Sequence, residues 1–512
     1  MSEPAGHGTI PHLLARAAAR DPDGTWLRTD DLELTFAGAA AAVGGRAAVL
    51  RDRGICAGDL VVLTARTTPQ YLLAWLAITS LGAIAVPTNP ASTRAEVAGL
   101  LAQTAPRLIV TDARLRPLVD GFGADVLDVD DLAGDPAELP TDAAAPDDVA
   151  VLIPTSGTTG RSKLVMQTHR AYVMAGEGFP FWMELNSDDR LMTSLPLFHI
   201  NAPAYSVLGS LACGAGLVLL PRFSASGFLD AARRHGATQF NAIGAMLEIL
   251  MRQPRRPDDA DNPLRLCYTG PSPERDRQLA IERRFGLRIV CGYAMSESPY
   301  GLIWAHGTRP FGTLGTLRQH PTRGVVNEAR VVDGAGHDVA SSEPGELLLR
   351  SPAVTPGYWG MPEQTAETIT ADGWLRTGDL VSRDAGGVYT FIARKKEVLR
   401  RRGENLSPAE VEDAIAAHPS VVECAVVGVP SELSDEEIKA FVVTDGPADF
   451  VALRAWTAQR LAAFKVPRYW QRLEALPRTP TQRVAKHQLP ADRAEDEYDA
   501  QQAHASERGA TP

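Results

Sequence analysis

Short apolar runs alternate with amphipathic segments along most of the chain. Segments such as residues 69–81 and 226–235 have the spacing of amphipathic helices, whereas the runs between them are short and have the composition of buried strands. These strand-like runs are residues 60–63, 83–86, 107–110, 216–220 and 288–290. Such alternation predicts α/β layers that contain parallel sheets.

The pattern changes towards the C-terminus. Residues 345–350 and 387–391 have the character of a separate antiparallel β region, and a charged junction follows at residues 393–397. Beyond the junction come a helix start with Ser407 as N-cap, a strand at 421–429 and a helix at 453–461.

These changes predict three parts of the chain. We expect a large N-terminal domain of layered sheets and helices plus a β region at residues 1–393. A small α+β domain is predicted at 394–490. The segment 491–512 is acidic and has almost no large apolar residue, so we expect it to be a disordered tail.

Composition and charge narrow the function classes. The formal net charge of −11 argues against a nucleic-acid partner, since such proteins present a basic face. The most apolar stretch, residues 71–86, is too short to span a membrane, and Glu3 argues against a secretory signal. The five cysteines form no CxxC pair, so neither a zinc site nor a disulfide framework is expected, and we predict a cytoplasmic protein.

The segment from Thr155 to Val165 combines glycines, hydroxyls and a lysine after an apolar run at 149–153. Glycine permits backbone conformations in which amide N–H groups turn towards an anion, and Lys163 adds a mobile positive charge. The loop does not end in Gly-Lys-Ser/Thr, so it is not a Walker loop. We predict a phosphate-binding loop, against the plainer alternative of a solvated turn. Its candidate ligands are Thr155, Ser156, Gly157, Thr158, Thr159, Gly160 and Lys163.

This loop resembles the signature of the adenylate-forming enzymes, which include acyl-CoA synthetases, peptide-synthetase adenylation domains and luciferases. The family usually has Pro in place of Ser162 and Gly in place of Leu164. The resemblance extends over residues 13–489. It implies binding of ATP and Mg²⁺, activation of a small-molecule acid as an acyl-adenylate with release of pyrophosphate, and transfer of the acyl group to CoA.

A second motif at residues 292–297 resembles the family's Gly-Tyr-Gly-x-Thr-Glu sequence. The resemblance implies that Tyr293 stacks on adenine, Ser296 contacts the α-phosphate and Glu297 is a ligand of Mg²⁺. The alternative is a helix start with Ser296 as its N-cap. Gly270 and Pro271 lie where the family packs backbone against adenine.

A third motif, at residues 374–380, implies that Asp379 binds the ribose hydroxyls with support from Arg394. For a lone Gly-Asp the alternative is a carboxylate that caps a turn. The resemblance also places His199 at the acyl pocket, although a lone histidine is often structural. The pocket is expected to draw on residues near His199, Ala242 and Gly270, and on residues 294–299.

The C-terminal motifs depart from the family. Residues 402–406 resemble the loop that guides the pantetheine thiol, with Gly403 retained, and the run Arg400 to Arg402 suggests contacts to CoA phosphates. Lys396 matches the family hinge about which the small domain moves. The family's catalytic lysine is replaced by Arg483, and Lys486 follows one helical turn later, so either residue is a candidate for its role.

Three alternatives to a CoA ligase remain open. Some family members of secondary metabolism activate nitrite and diazotise an aromatic amine without CoA. Transfer to a separate carrier protein is another route, because the chain has no carrier domain of its own. The third is a nucleotide-binding relative without activity, which the retained Lys163, Glu297, Asp379 and Arg394 argue against.

Overall fold

A computed structural model describes most of the 512 residues. The described residues are 8–155, 162–270, 272–395, 399–401, 404–430, 436–461, 463–478, 484–490, 492, 494 and 497–500.

The described residues divide into two compact units by their contacts. Unit 1 is drawn from Met1–Arg330, Leu348–Thr377 and Asp384–Thr390. Unit 2 is drawn from Val331–Leu347, Gly378–Arg383 and Phe391–Pro512. Two segments that precede the predicted boundary at residue 394 therefore group with the C-terminal part, which the hydrophobic pattern did not indicate.

Unit 1 contains two large sheets. Their strands are β1 (Thr25–Arg28), β2 (Glu33–Thr35), β3 (Leu60–Thr64), β4 (Ile84–Pro87), β5 (Leu108–Thr111), β6 (Val126–Asp128), β7 (Val149–Thr155), β8 (Lys163–Thr168), β9 (Arg190–Thr193), β10 (Gly216–Leu219), β11 (Gln239–Asn241), β12 (Leu266–Thr269), β13 (Arg288–Met295), β14 (Ser298–Ile303) and β15 (Thr316–Leu317).

A nine-stranded sheet has the order β15-β14-β13-β12-β11-β9-β10-β1-β2, and a six-stranded sheet has the order β6-β5-β3-β4-β7-β8. Strands β9 to β13 pair in parallel with one another, and so do β3 to β7, whereas β8 pairs antiparallel with β7. Parallel strands direct their carboxyl ends to one edge, where α/β proteins bind ligands. This edge of the nine-stranded sheet carries several of the predicted site residues.

The helices of unit 1 cover these sheets. They are α1 (Ile10–Arg20), α2 (Phe36–Asp52), α3 (Pro69–Ser80), α4 (Arg94–Thr104), α5 (Arg116–Val119), α6 (His169–Met183), α7 (Leu208–Cys213), α8 (Phe228–His235), α9 (Gly244–Arg252), α10 (Arg275–Phe285) and α11 (Pro362–Thr368). A π-helical turn, Ala202–Val207, precedes α7, and a 3₁₀ turn forms at Asp130–Leu132.

Helix α3 shows how local sequence and packing combine. Thr68 caps the helix by accepting a hydrogen bond from the Tyr71 N–H, and Pro69 occupies the first turn, where its missing N–H costs nothing. Every residue from Tyr71 to Ser80 is buried. The prediction of an amphipathic helix is therefore wrong here, because α3 is covered on all sides by neighbouring helices and strands.

A four-stranded sheet has the order β16-β17-β18-β19, with β16 (Glu328–Val332), β17 (Gly345–Arg350), β18 (Leu375–Arg383) and β19 (Tyr389–Arg394). The residues of this sheet are divided between the two units. The strands that lie wholly in unit 2 are β20 (Leu399–Arg401), β21 (Glu404–Leu406), β22 (Val421–Pro430), β23 (Glu436–Thr444), β24 (Tyr469–Arg472) and β25 (Tyr498–Asp499), and the helices of unit 2 are α12 (Pro408–Ala416) and α13 (Phe450–Ala458).

Unit 2 has its own core, centred on Trp470, Val411 and Ile438. The α/β fold class with a small α+β part is confirmed. Helix α12 begins after Ser407 as predicted, but the Ser407 hydroxyl makes no capping hydrogen bond to the helix.

The predicted disordered tail is wrong for residues 497–500. Strand β25 pairs antiparallel with β24, and Glu497 forms a buried ion pair with Lys439, with 2.6 Å between Oε2 and Nζ. Asp499 accepts two hydrogen bonds from Arg468. The charged residues of this segment predicted a solvated chain, but Lys439 on β23 and Arg468 directly before β24 neutralise Glu497 and Asp499.

The described residues contain no helix with the length and apolar character needed to cross a membrane.

Candidate active site

The base of the predicted phosphate loop is a β-hairpin. Strands β7 and β8 pair antiparallel with Thr155 opposite Lys163, and the Thr155 hydroxyl donates to the Lys163 carbonyl oxygen at 3.3 Å. This register brings the two ends of the loop together and places Lys163 at its exit. The predicted ligands Ser156, Gly157, Thr158, Thr159 and Gly160 lie outside the described residues.

Lys163 and Glu297 are joined through Tyr358. The Lys163 ammonium lies 4.6 Å from the centroid of the Tyr358 ring, a cation–π distance. The Tyr358 hydroxyl donates to Glu297 Oε1 at 2.9 Å. Burial raises the pKa of the Tyr358 phenol and the Glu297 carboxylate raises it further, so the group acts as a neutral donor. The structure therefore brings two predicted residues together through a tyrosine that the motif analysis missed.

Tyr358 is held by a tightly turned segment. Gly357 has a φ of 139°, and a Cβ there would lie 2.4 Å from Thr365 Cγ2, so only glycine is accommodated. The Tyr358 N–H donates to Thr365 Oγ1, and the next residue, Trp359, donates its N–H to the Leu164 carbonyl of β8. The Gly-Tyr pair after the β17 segment was the available sequence signal for Tyr358.

Ser296 and Glu297 lie in a hairpin turn between β13 and β14, where Met295 pairs with Ser298. The alternative of a helix start with Ser296 as N-cap is therefore wrong. Two hydrogen bonds fix the turn: the buried Gln167 side chain donates to the Ser296 carbonyl, and the Thr355 N–H donates to the Glu297 carbonyl at 2.8 Å. The backbone of this turn is thus set by both β8 and the Tyr358 segment.

Close backbone packing explains the glycines on the neighbouring strands. A Cβ on Gly270, after β12, would lie 2.4 Å from the Gly292 carbonyl oxygen. Gly301 on β14 would place a Cβ 2.4 Å from the Tyr293 carbonyl oxygen. Tyr293 is half-buried in β13. Pro271 lies outside the described residues.

His199 is half-buried in the segment that follows β9. Its ring centroid lies 4.3 Å from that of Phe198, with the rings tilted by 49°. Nearby Asn201 accepts a hydrogen bond from Asn241 Nδ2 at 2.8 Å, which ties this segment to the end of β11. The His199 segment therefore lies along the carboxyl edge of the nine-stranded sheet.

A buried arginine lies behind the β13–β14 hairpin. Arg318 is fully buried and donates to the hydroxyls of Tyr205 and Tyr268 and to the carbonyls of Pro299 and Leu302. Its guanidinium carbon lies 5.1 Å from the Tyr205 ring centroid. Neutral phenols and carbonyls thus solvate this charge. Desolvation lowers the pKa of Arg318, but Tyr205 and Tyr268 outweigh this effect and hold the pKa above its usual value. Composition alone did not indicate this cluster.

In unit 2 the two predicted ribose ligands are in contact. Arg394 Nε on β19 lies 2.8 Å from Asp379 Oδ1 on β18, with Asp379 buried and Arg394 partly exposed. Gly378, the residue before Asp379, has a φ of 69°. The structure therefore brings these two residues together, as expected if Asp379 binds the ribose with support from Arg394.

A second carboxylate organises the same turn. Glu346 is 5 % exposed, accepts a hydrogen bond from the Gly378 N–H at 3.3 Å and pairs with Lys395 Nζ at 2.9 Å. Lys395 also donates its N–H to the Gly378 carbonyl oxygen. Glu346 thus fixes the residue directly before the predicted hinge. Lys396 itself and Gly403 lie outside the described residues.

Two basic residues of unit 2 are engaged within the unit. Arg401 is buried, makes a bidentate ion pair with Glu437 and donates to the Val466 carbonyl oxygen. The interpretation of Arg401 as a contact to CoA phosphates is therefore wrong, since its fork is committed to the fold.

Lys486 Nζ lies 2.8 Å from Glu412 Oε1. The same oxygen accepts the Val426 N–H. Arg483 lies outside the described residues. Lys486 is thus engaged by Glu412 within unit 2.

The described residues contain no cluster of three or more His, Cys, Asp or Glu side chains that could hold a metal ion. The single carboxylate of Glu297 suits a different type of site. Mg²⁺ in nucleotide enzymes is commonly held by one or two carboxylates, with phosphate oxygens and water supplying the other ligands.

Comparison with protein families gives two matches. Residues 14–359 match the AMP-binding enzyme family, and residues 410–483 match the AMP-binding enzyme C-terminal domain. Sulfoacetate–CoA ligase of Cupriavidus necator is 33% identical over 513 residues, which cover 95% of this chain and 98% of that protein. Crotonobetaine/carnitine–CoA ligase of Salmonella typhi is 31% identical over 469 residues, 85% of this chain and 89% of that protein.

Solved structures share the fold. ATP-bound MatB from Rhodopseudomonas palustris superposes with a TM-score of 0.85 at 28% identity, covering 93% of this chain and 97% of that one. The o-succinylbenzoate CoA synthetase of Bacillus subtilis, in complex with its acyl-adenylate intermediate, has a TM-score of 0.84 at 26% identity, covering 94% and 98%. The chain therefore belongs to the AMP-binding enzyme family, the adenylate-forming enzymes that its motifs resemble.

Proposed function

We propose that this protein is an AMP-forming ligase that activates a carboxylic acid with ATP and transfers the acyl group to CoA. The observation that carries the proposal is the chain of contacts from Lys163 through Tyr358 to Glu297 at the base of the phosphate loop. It joins a cation suited to phosphate and a carboxylate suited to Mg²⁺ in one rigid arrangement.

The first half-reaction is adenylation. An oxygen of the substrate carboxylate attacks the α-phosphorus of ATP, a new O–P bond forms, and the bond to the β-phosphate oxygen breaks to release pyrophosphate. Catalysis of this displacement depends on charges placed before the reaction begins. Lys163 and the Ser296 hydroxyl are proposed to stabilise the charge that develops on the phosphates.

Glu297 is the proposed protein ligand of Mg²⁺. Its Oε1 is oriented by the Tyr358 hydroxyl, and the backbone of its turn is held by Thr355. When bound, the ion would neutralise phosphate charge during the displacement. The Bacillus subtilis enzyme, with a TM-score of 0.83, has been solved in complex with ATP and magnesium ion, which supports Mg²⁺ as the metal used with ATP.

The nucleotide is further proposed to bind through Tyr293, Gly270 and the Asp379–Arg394 pair. Tyr293 offers an aromatic face to adenine, and the Gly270 backbone can approach the base closely. The Asp379 carboxylate can accept hydrogen bonds from two ribose hydroxyls, and Arg394 holds it in place. Thr155 and the loop residues Ser156 to Gly160 are proposed to bind the phosphates.

In the second half-reaction a thiolate attacks the acyl carbon and displaces AMP. The relatives named above are CoA ligases, which favours CoA over a carrier protein as the acceptor. Arg483 is proposed to assist adenylation, since Lys486 is already engaged by Glu412. Lys396 is the proposed hinge between the two half-reactions and Gly403 the proposed contact to the pantetheine arm.

The test is a screen of pyrophosphate release with a panel of carboxylic acids, each with and without CoA. Sulfoacetate, carnitine and o-succinylbenzoate belong in the panel because of the relatives. We expect pyrophosphate with at least one acid, and a thioester only when CoA is present. Lys163→Met should reduce the rate at least 100-fold, whereas Lys465→Met, which removes a lysine paired with Glu410, should not.

A further assay replaces the panel of carboxylic acids by nitrite, the anion to be activated, together with an aminophenol-type acid as the aromatic amine. Rapid turnover there without any thiol, together with no thioester from any acid, would contradict the CoA ligase and favour the diazotase alternative.

A further inference from the structure

Three side-chain amides form a directed chain of hydrogen bonds beside the His199 segment. Gln239 Nε2 donates to Asn241 Oδ1 at 2.6 Å, and Asn241 Nδ2 donates to Asn201 Oδ1 at 2.8 Å. Gln239 and Asn241 are buried, whereas Asn201 is half-buried. The chain therefore runs from the interior to the surface of unit 1 and ends on the Asn201 amide.

The direction of this chain has a physical cause. As arranged, Gln239 leaves its carbonyl oxygen without a partner in the described structure. Reversing all three amides would instead leave both buried N–H donors of Gln239 unpaired, and orphaned buried N–H groups are rarer than orphaned carbonyls. The chain consequently presents the N–H donors of Asn201, not an acceptor, at its exposed end.

The position of Asn201 relates it to the proposed nucleotide site. Strands β13, β12, β11 and β9 are consecutive in the sheet, and their carboxyl ends share one edge. Tyr293 lies on β13 and Gly270 follows β12, whereas Asn241 ends β11 and Asn201 lies in the segment after β9. Three strand spacings separate β13 from β9, about 14 Å, a span that the Ser296 and Asn201 side chains, the α-phosphate and the acyl group would share. A small acid activated near Ser296 would extend its other end along this edge.

We propose that Asn201 selects acids that carry a second hydrogen-bond-accepting group at the end remote from the reacting carboxylate. This inference rests on the proposed adenylation of a carboxylic acid at the same site. The buried Asn241 and Gln239 act as positioning residues, because they hold the Asn201 amide with its donors outward. An acid without an acceptor would leave these donors desolvated and unpaired, which lowers its affinity.

The test compares matched acids in the pyrophosphate assay. The pairs are sulfoacetate against butyrate and 4-hydroxybenzoate against benzoate, and the quantity measured is the ratio of kcat/KM within each pair. We expect the acid with the acceptor to be preferred about 10- to 100-fold in at least one pair, mainly through KM. Asn201→Asp keeps the oxygen that accepts from Asn241 but replaces the donors, so this ratio should fall at least tenfold.

Controls separate this role from a structural one. Asn186→Asp makes the same substitution at an exposed turn of unit 1 and should leave the ratio unchanged. Asn201→Ser restores a small donor and should recover part of the preference. Thermal melting of each variant checks that the fold is intact.

The inference is overturned if the wild-type protein shows no preference within either pair, or prefers the acid without the acceptor. It is also overturned if Asn201→Asp keeps the wild-type ratio. In each of those cases acids still release pyrophosphate, so the proposed function stands. If no acid of the wider panel releases pyrophosphate, the proposed function fails, and the inference fails with it.

Discussion

At the residue scale, Tyr358 is the residue whose role depends most on three-dimensional contacts. Its ring faces the Lys163 ammonium and its hydroxyl orients Glu297, so one side chain contacts both a proposed phosphate ligand and a proposed metal ligand. Neither contact follows from the spacing of the three residues along the chain.

Tyr358→Phe should retain the cation–π contact but leave Glu297 without its hydroxyl donor. We expect a loss of about 1–1.5 kcal/mol, or roughly tenfold, in the rate of adenylation, together with a weaker response to Mg²⁺. Pyrophosphate release at varied Mg²⁺ measures both effects. Tyr300→Phe removes another buried hydroxyl, one without a hydrogen-bond partner in the described structure, and should have little effect. Equal effects of the two variants would argue against this role of Tyr358.

At the element scale, His169 joins two helices of unit 1. Its Nδ1 accepts the Ile10 N–H at 3.3 Å, which links the start of α6 to the start of α1. The ring is fully buried, and desolvation lowers its pKa from 6.5 to about 4, although Asp148 opposes this. The folded state therefore requires a neutral ring, whereas the unfolded chain binds a proton on the same ring at mildly acidic pH.

Acidification should destabilise unit 1 through His169. In the unfolded chain the ring binds a proton below pH 6.5, whereas in the folded state it stays neutral down to about pH 4. The contribution of the neutral His169 ring to the free energy of unfolding is therefore complete above pH 6.5. It is lost progressively as the pH falls towards 4, by about 3 kcal/mol in total and about 2 kcal/mol at pH 5. Urea unfolding at pH 7 and pH 5 measures the difference.

His169→Gln provides the control for this pH dependence. Glutamine does not titrate, and its side-chain oxygen can accept the Ile10 N–H. The free energy of unfolding of the His169→Gln variant should change less between pH 7 and pH 5 than that of the wild type. The same pH dependence in both proteins would assign the effect to other groups.

A second prediction at this scale concerns β25. Glu497 and Lys439 are each 1 % exposed, and removal of one partner leaves a buried charge unpaired. Glu497→Ala should therefore destabilise unit 2 by about 3–5 kcal/mol, measured by urea unfolding. Glu410→Ala breaks the more exposed pair with Lys465 and should cost at most about 1 kcal/mol. Similar costs for the two variants would show that β25 contributes little to unit 2.

At the scale of the whole molecule, the two half-reactions can be separated by variants of the C-terminal motif. If Arg483 takes the role of the family lysine, Arg483→Ala should slow adenylation by roughly 10²–10³, the usual effect of losing one preorganised charge contact. Formation of the thioester from a pre-made acyl-adenylate should hardly change. The two rates are measured as pyrophosphate release and as AMP release with CoA.

Lys486→Ala is the matched comparison. Its ammonium is engaged by Glu412, so we expect only a mild effect on adenylation. A large effect of Lys486→Ala with normal activity of Arg483→Ala would reverse the assignment. Normal adenylation by both variants would remove this motif from the proposed mechanism.

The sequence by itself determined the elements, the α/β class and the family motifs. Apolar runs become strands because backbone groups in a buried segment must pair, and glycine-rich motifs can be recognised because few residues tolerate the conformations they require. Residues 60–63 and 216–220 correspond to β3 and β10, with ends that differ by one residue. Local chemistry alone was sufficient for these predictions.

Only the tertiary structure decided which side chains meet. Arg401 belongs to a basic run in the sequence, yet Glu437, distant along the chain, removes it from any ligand site. The acidic composition of the tail predicts a solvated segment, whereas in the structure Lys439 and Arg468 pair with its carboxylates. Tyr358, Arg318 and the Asn201 amide chain depend in the same way on partners from distant strands. Such contacts are set by sheet order and register, which no local pattern of residues encodes.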